Sequence, residues 1–193
     1  RSAKAQCIRS CEALRLALDS CGQDLQNLVS LTVFLADYAD APDIIGALHS
    51  HLDRSATPAI TFVGVSGLEG NCRVRIDAVA TPDRIKPILL DDLPLAAGAR
   101  CHGVRAHDFI FLSGVDAGDS NGKVTPPATI QFQTATVLNR IGKILHDQKL
   151  SLADLCRTFM FMPSTDLRPG YGEARKAVYK NIFEEDQFPP NSG

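Results

Sequence analysis

Two arginines and one serine–glycine pair are the groups of this 193-residue chain best suited to bind an anionic small molecule. A guanidinium presents a planar fork of N–H donors that matches a carboxylate, which makes Arg75 and Arg100 candidate anion anchors. Ser113 and Gly114 follow an apolar stretch, so a hydroxyl and an adjacent backbone N–H could bind an oxyanion at a strand end. The structural alternatives are a solvated strand-end arginine at position 100 and a plain turn at 113–114.

Three polar residues nearer the C-terminus are further candidates for substrate binding: Tyr171, Asn191 and Ser192. The amide and hydroxyl of Asn191-Ser192 are neutral, so they suit a ligand carbonyl or hydroxyl better than a carboxylate. Their structural alternative is a capped strand start, whereas Tyr179, on the same predicted helix as Tyr171, is predicted to lie in the core or an interface. No catalytic residue is assigned, because no nucleophile–base pair follows from spacing alone.

Metal and cofactor signals are weak along the whole sequence. His49 and His51 would point about 200° apart on a helix that turns 100° per residue, so they cannot share a metal. HExxH, GxGxxG and P-loop patterns do not occur, and we predict neither a metal nor a cofactor. The six cysteines form no CxxC pair, and Cys7, Cys11 and Cys156 lie in apolar segments, which predicts a reduced cytoplasmic protein with cysteines packed as small hydrophobes.

The charge and hydropathy of the chain exclude several classes of partner. Lys+Arg 20 against Asp+Glu 22 gives a net charge of −2, and no basic–aromatic patch promises nucleic-acid binding. The longest apolar runs, such as 109–112, fall far short of the roughly 20 residues that cross a bilayer, so no membrane association is predicted. A composition of 45% hydrophobic and 22% charged residues is ordinary for a globular protein.

An internal repeat organises the elements that must position these residues. Residues 6–35 align without a gap with residues 133–162, an offset of 127 residues. Each copy begins with an amphipathic helix, marked in the first by Cys7, Cys11, Leu14 and Leu18 and in the second by Leu138, Ile141 and Leu145. A strand follows in each copy, at Leu28–Leu35 and at Leu155–Met162, and its near-continuous apolarity predicts cover on both faces.

The remaining predicted elements complete an α+β layout with helices on one face of a mixed sheet. The boundary at Thr81-Pro82-Asp83 divides the chain into a first copy, 1–81, and a second copy, 82–193. The further predicted elements are second helices at Pro42–Leu52 and Tyr171–Phe183, strands at Ile60–Val65 and Arg73–Val79, and strands Ala99–Ala106 and Phe109–Ser113 joined by a hairpin turn at His107-Asp108.

Several local motifs lie along these elements: Phe111-Leu112-Ser113-Gly114 with Asn121-Gly122-Lys123-Val124, the helix from Gln133, Leu25–Leu35, Pro58-Ala59 and Val74–Ala80. With these motifs in this order, the chain resembles the RidA/YjgF superfamily, in older naming endoribonuclease L-PSP, in a tandem form that is incomplete at both ends. The resemblance implies tandem chorismate-mutase-like (RidA-type) units, of which the first would lack its N-terminal strands and the second its last two. It also implies a homotrimer with a small-molecule ligand in a cleft between copies.

The best known activity in that superfamily is the hydrolysis of reactive enamines and imines, such as 2-aminoacrylate, to a keto acid and ammonia. The family's carboxylate-binding arginine follows a Pro-Ala pair, where this chain has Ile60 in the first copy and Asn191 in the second. The family's acidic residue corresponds to Arg75, a charge reversal. Four interpretations stay open: a diverged deaminase, in which Arg75 or Arg100 faces the cleft; a non-catalytic metabolite-binding or scaffold protein; a chorismatase-like hydrolase; and, weakest, an endoribonuclease.

Overall fold

A computed structural model of the protein describes residues 2–52, 56–184 and 187–192, which contain four α-helices and eight β-strands. The α+β class predicted from the sequence is confirmed. The chain divides into two compact units, each described separately below. Unit 1 contains residues up to Leu89 together with Leu95–Gly114, and unit 2 contains Leu90–Pro94 and the residues from Val115 onward. The boundary predicted after residue 81 separates the two copies of the sequence repeat, not the two compact units, and it remains a prediction.

Among the described residues, unit 1 holds two α-helices and six strands, and unit 2 holds two α-helices and two strands. In unit 1 these are α1 (Ala3–Ser20), β1 (Leu28–Leu35), α2 (Ala41–His51), β2 (Ala59–Gly64), β3 (Val74–Ala80), β4 (Ile85–Ile88), β5 (Gly103–Ala106) and β6 (Phe109–Leu112). In unit 2 they are α3 (Ile130–Asp147), β7 (Thr158–Phe159), α4 (Arg168–Tyr179) and β8 (Asn191–Ser192). No helix in the described part of the chain is long and apolar enough to cross a membrane.

The first helix forms where the apolar stripe predicted it. Ser2 caps α1 by accepting a hydrogen bond from the backbone N–H of Ala5 at 3.3 Å. Cys7, Cys11 and Leu18 are buried on one side of the helix and face α2 and the sheet. Burial of this stripe against the sheet, rather than helix propensity, supplies most of the stability of such a helix.

The central strand β1 is buried on one face and only partly covered on the other, where Ser30, Thr32 and Phe34 are half-buried, which differs from the cover on both faces that its apolar sequence predicts. It pairs in parallel with β2, where Leu31 lies opposite Ile60, and antiparallel with β3. Leu31, Val33 and Leu35 pack with both helices on one face of this mixed sheet. Val29 packs on the other side in a smaller cluster that includes Val104 of β5.

Strands β4, β5 and β6 form an antiparallel sheet of their own within unit 1. The hairpin turn predicted at His107-Asp108 is confirmed, and His107 adopts a φ of 50° there. Strand β5 begins at Gly103 rather than at residue 99. Gly103 also approaches its neighbour closely, since an added Cβ would lie 2.8 Å from the backbone oxygen of Phe111.

Unit 2 repeats the helix–strand–helix order of unit 1. Helices α3 and α4 pack together around Tyr179, which is 0% exposed and lies among Leu138 and Leu145, so its predicted core position is confirmed. Strand β7 covers two residues instead of the predicted 155–162, because within the described residues it pairs only with the two-residue β8. The strand pairing is also repeated. Thr158 is the residue equivalent to Leu31 at the repeat offset of 127; Leu31 lies opposite Ile60, and Thr158 lies opposite Asn191.

The cysteines divide between core and surface, and all six are free thiols. Cys7, Cys11 and Cys101 are buried, in agreement with the expected behaviour of small hydrophobes for the first two. Cys156 is exposed, which differs from the expectation, because it lies before the short β7 rather than inside a covered strand.

Candidate functional site

Ser113 lies at a buried junction between β2 and the β5–β6 hairpin. Its side chain is 5% exposed; the hydroxyl donates to the carbonyl of Cys101 at 2.7 Å and accepts the N–H of Ile60 at 3.1 Å. The backbone N–H of Ser113 donates to His102 O at 3.0 Å, and that of Gly114 donates to Ile60 O at 3.1 Å. The Ser113 hydroxyl, the Ser113 N–H and the Gly114 N–H, which are the donors of the predicted oxyanion site, therefore all donate to protein carbonyls.

Cys101, beside this junction, is an unreactive thiol. It is 1% exposed, and its Sγ–H points toward the carbonyls of Thr57 and Pro58 at 3.5 and 3.7 Å. Burial raises its pKa, against hydrogen bonding from Ser113 that lowers it, so the thiol stays protonated at neutral pH. The junction therefore has the chemistry of a structural contact rather than of a nucleophile with an oxyanion hole.

Arg100 is held against the end of α2. Its Nη2 donates to the backbone carbonyl of His49 at 3.1 Å, which satisfies one of the carbonyls that every helix C-terminus leaves unpaired. The His49 ring in turn lies with Nε2 2.9 Å from the carbonyl of Gly98. Burial and the neighbouring Arg100 charge lower the pKa of His49, so the neutral ring donates from Nε2 to that carbonyl.

Arg75 lies on β3 and is paired on its own strand. Its Nε and Nη2 donate to the two carboxylate oxygens of Asp77 at 2.9 and 3.1 Å, and its side chain is 65% exposed. The guanidinium also lies 5.8 Å from the ring centroid of Phe34. Both arginines predicted as anion anchors therefore have protein partners, one a carboxylate and the other a helix carbonyl.

Asn191 and Ser192 form β8 beside β7, where the structure adds a cation that the sequence reasoning missed. Thr158 Oγ1 donates to Asn191 Oδ1 at 3.1 Å, which leaves the Asn191 NH₂ group without a partner among the described residues. Arg157 Nη2 donates to Ser192 Oγ at 3.4 Å, and its guanidinium lies 4.3 Å from the Phe159 ring centroid. The signal for Arg157 was its place in the predicted strand Leu155–Met162.

Tyr171 lies in the first part of α4, one turn before Arg175, and is half-buried. Burial raises its pKa, and the nearby Arg175 charge partly opposes this, so the phenol is neutral at physiological pH. Arg175 donates to the carbonyl of Pro189 at 2.6 Å and stacks over Tyr179 and Phe188, which fixes the chain just before β8. The predicted site residues thus separate: Arg75, Arg100, Ser113 and Gly114 lie in unit 1, and Tyr171, Asn191 and Ser192 in unit 2.

The described residues include no group of three or more His, Cys, Asp or Glu side chains that could hold a metal ion. The groups available for recognition are hydrogen-bond donors and acceptors with one guanidinium at β7–β8. Such a set can bind a carbonyl, a hydroxyl or a carboxylate.

Comparison with family models gives one match, described as Endoribonuclease L-PSP, which covers residues 1–82 and again 91–192. The two matched ranges correspond to the two copies of the internal repeat. A search of curated protein sequences gives no significant match.

The solved structures named next each match less than half of the chain. TdcF from E. coli, solved with bound serine, is 22% identical over 42% of this chain and 65% of its own, with a TM-score of 0.40. A Pseudomonas aeruginosa protein of unknown function is 32% identical over 42% of this chain and 58% of its own, also at 0.40. The chain spans 64% and 65% of two further matches, from Entamoeba histolytica and Thermotoga maritima.

Proposed function

Because the chain belongs to the endoribonuclease L-PSP family, with two copies of the family sequence in tandem, we propose that it binds a small metabolite without hydrolysing imines. The observation that carries this proposal is Ile60, whose side chain is 1% exposed in the core of unit 1. The resemblance puts the carboxylate-binding arginine of the deaminases at this position. A buried aliphatic side chain offers no charge to a substrate carboxylate.

Imine hydrolysis needs both a cation for the substrate carboxylate and a group that positions the attacking water. In the first copy the position of the family's acidic residue holds Arg75, which forms a bidentate pair with Asp77. Arg100 donates to a helix carbonyl instead of standing free. The first copy is therefore best explained as a scaffold, and the alternative of a pocket remodelled around Arg75 or Arg100 has less support.

The strand pair β7–β8 is the part of unit 2 best suited to recognise the ligand. Asn191 presents a free amide NH₂ group, Ser192 a hydroxyl and Arg157 an exposed guanidinium. This combination matches a small 2-keto or 2-hydroxy acid, whose carbonyl or hydroxyl would accept from the amide while its carboxylate meets Arg157. The endoribonuclease alternative has less support, because a net charge of −2 provides no general attraction for a phosphate backbone.

A direct test of the non-catalytic part is ammonia release from enzymatically generated 2-aminoacrylate. We expect the protein to release ammonia no faster than a buffer control. A clear rate above that control, lost in Arg157→Gln, would contradict the proposal and restore the deaminase interpretation. A rate that survives Arg157→Gln but falls in Arg100→Gln would instead point to a remodelled pocket in the first copy.

The binding part is tested by isothermal titration with pyruvate. We expect Arg157→Gln and Asn191→Ala each to weaken binding by roughly 10-fold or more, as the loss of a hydrogen bond to a charged group implies. Lys176→Gln, an exposed cation on α4, is the matched control and should leave affinity unchanged. Absence of binding by the intact protein, or equal affinity in wild type and Arg157→Gln, would contradict the assignment of β7–β8.

Assembly is proposed on the resemblance alone, and location on the cysteine content of the sequence. We propose a homotrimer with ligand clefts between copies, as the superfamily implies, in the cytoplasm. Light scattering on the full chain should return three times the chain mass of 20.8 kDa, and a monomer mass would contradict this assembly.

A further inference from the structure

An open cavity lies in unit 1 between α1 and the connection from β2 to β3. Its volume is about 300 Å³, and its walls are made by Gln6, Arg9 and Ser10 on the helix and by Asn71 and Cys72 on the connection. Gly70 and Val74 complete the lining; Val74 is the first residue of the family motif Val74–Ala80, and no lining residue belongs to the β7–β8 strand pair. The size lies at the lower end of the range for small-molecule sites.

The shape of the cavity is set by hydrogen bonds that join its two walls. Gln6 Oε1 accepts the backbone N–H of Arg73 at 2.9 Å, which fastens the β2–β3 connection to α1. The connection itself turns through Gly70 and Asn71, both with positive φ, of 65° and 59°. The wall opposite α1 is therefore a defined turn attached to the helix.

Arg9 is the charged residue in the lining of this cavity. Within the described residues it makes no ion pair and no hydrogen bond, a state that it shares with Arg15 on the same helix, whereas Arg73, Arg75 and Arg100 each have a protein partner. Arg9 is exposed and projects from α1 at the cavity, one residue before Ser10. An unpaired guanidinium at the wall of an open cavity keeps its full capacity for a planar anion.

We propose that this cavity binds a small carboxylate ligand, of the size of an amino acid or a short dicarboxylic acid, with Arg9 as the anion anchor. The Ser10 hydroxyl and the Asn71 amide supply neutral hydrogen-bonding groups for the rest of the ligand. The guanidinium fork favours the planar carboxylate over a single-point contact. This site is independent of the proposed function at β7–β8, because it shares no residue with it.

Cys72 gives the cavity a built-in reporter, because its thiol is exposed and lies in the wall. Alkylation by anionic iodoacetate is compared with alkylation by neutral iodoacetamide, and mass spectrometry follows Cys72 alongside the exposed Cys21 and Cys156. We expect the iodoacetate-to-iodoacetamide rate ratio at Cys72 to exceed the ratios at the other two thiols roughly threefold or more at low salt, because the Arg9 charge attracts the anion. Equal ratios at all three thiols would overturn the proposal.

Variants on the same helix supply the controls. Arg9→Gln should reduce the Cys72 ratio to that of the other thiols, whereas Arg15→Gln, an exposed arginine further along α1, should leave it unchanged. Both substitutions are at exposed positions, and far-UV circular dichroism verifies that the fold is retained. An unchanged ratio in folded Arg9→Gln would overturn the role of Arg9.

Ligand binding is tested by protection with succinate as the probe. We expect succinate to slow iodoacetamide alkylation of Cys72 in wild type and not in Arg9→Gln. Inorganic phosphate and sodium chloride at the same ionic strength should give little protection. Equal protection by phosphate would overturn the carboxylate assignment. Equal protection by chloride would mean that succinate acts only by screening charge, which would overturn ligand binding at this cavity. Because these measurements follow Cys72, their failure leaves the pyruvate-binding test of β7–β8 unaffected.

Discussion

Replacing Ser113 by alanine tests whether this residue is a structural contact of unit 1. The substitution removes a hydroxyl that donates to Cys101 O at 2.7 Å and accepts from Ile60 N–H at 3.1 Å, in a side chain that is 5% exposed. The buried N–H of Ile60 and the buried carbonyl of Cys101 both lose a hydrogen-bond partner. Each group left unsatisfied destabilises the fold by about 1–3 kcal/mol. Allowing for partial relaxation, we expect the free energy of unfolding to fall by about 2–4 kcal/mol.

Urea unfolding followed by far-UV circular dichroism measures this loss, since the chain contains no tryptophan. With an m-value of about 2 kcal/mol/M, the midpoint of Ser113→Ala should fall by about 1–2 M at unchanged m. Ser20→Ala is the matched control, because its exposed hydroxyl makes only local contacts, a hydrogen bond to Ala17 O at 2.7 Å and a weaker one with Cys21 Sγ at 3.8 Å. We expect the control to change stability by less than about 0.5 kcal/mol. A Ser113→Ala midpoint within the range of the control would refute the reasoning.

Two further substitutions probe the region around Arg100. Gly98→Ala should cost about 2–4 kcal/mol in urea unfolding, because φ is +75° and the new Cβ would overlap Phe62 and lie 2.9 Å from Ile45 Cγ1. Gly22→Ala, with φ +69° and no neighbour within 4 Å, should cost only about 1–2 kcal/mol, and equal costs would contradict the clash. The pKa of His49 is lowered in the folded protein, so as the pH falls the imidazole takes up a proton in the unfolded chain before it does so in the folded one. Wild type should therefore lose more stability between pH 7.5 and 5.5 than His49→Gln. Identical pH dependences in thermal unfolding would contradict that linkage.

The regular elements were predictable where the apolar period was long and its partners were local. Strand β1 begins at Leu28 and ends at Leu35, as the sequence pattern predicts, and α1 contains the whole predicted stripe. Strand β7 was not predictable in length, because the same apolar pattern forms a ladder only where a neighbouring strand exists to pair with it. Phe159 and Phe161 are 59% and 48% exposed for that reason, although the pattern assigns them to a covered strand.

The candidate site was likewise predictable only where the evidence is local in the sequence. The absence of an anchor arginine at Ile60 and Asn191 was readable directly, and the structure gives these residues equivalent register positions. The partner of Arg100 was not readable, because the His49 carbonyl lies 51 residues away in the chain. Arg157 was missed because its proximity to Ser192 depends on a strand pairing between positions 35 residues apart.

The incorporation of Leu95–Gly114 into unit 1 has a consequence for how the protein is made. The Ser113 hydroxyl and the Gly114 N–H bond to Ile60, so β2 acquires its last partners only after the ribosome has moved well into the second copy. The two sequence copies and the two compact units therefore divide this polypeptide at different places. The first repeat can be translated in full while the first compact unit still awaits a hairpin, which must leave the exit tunnel before that unit closes.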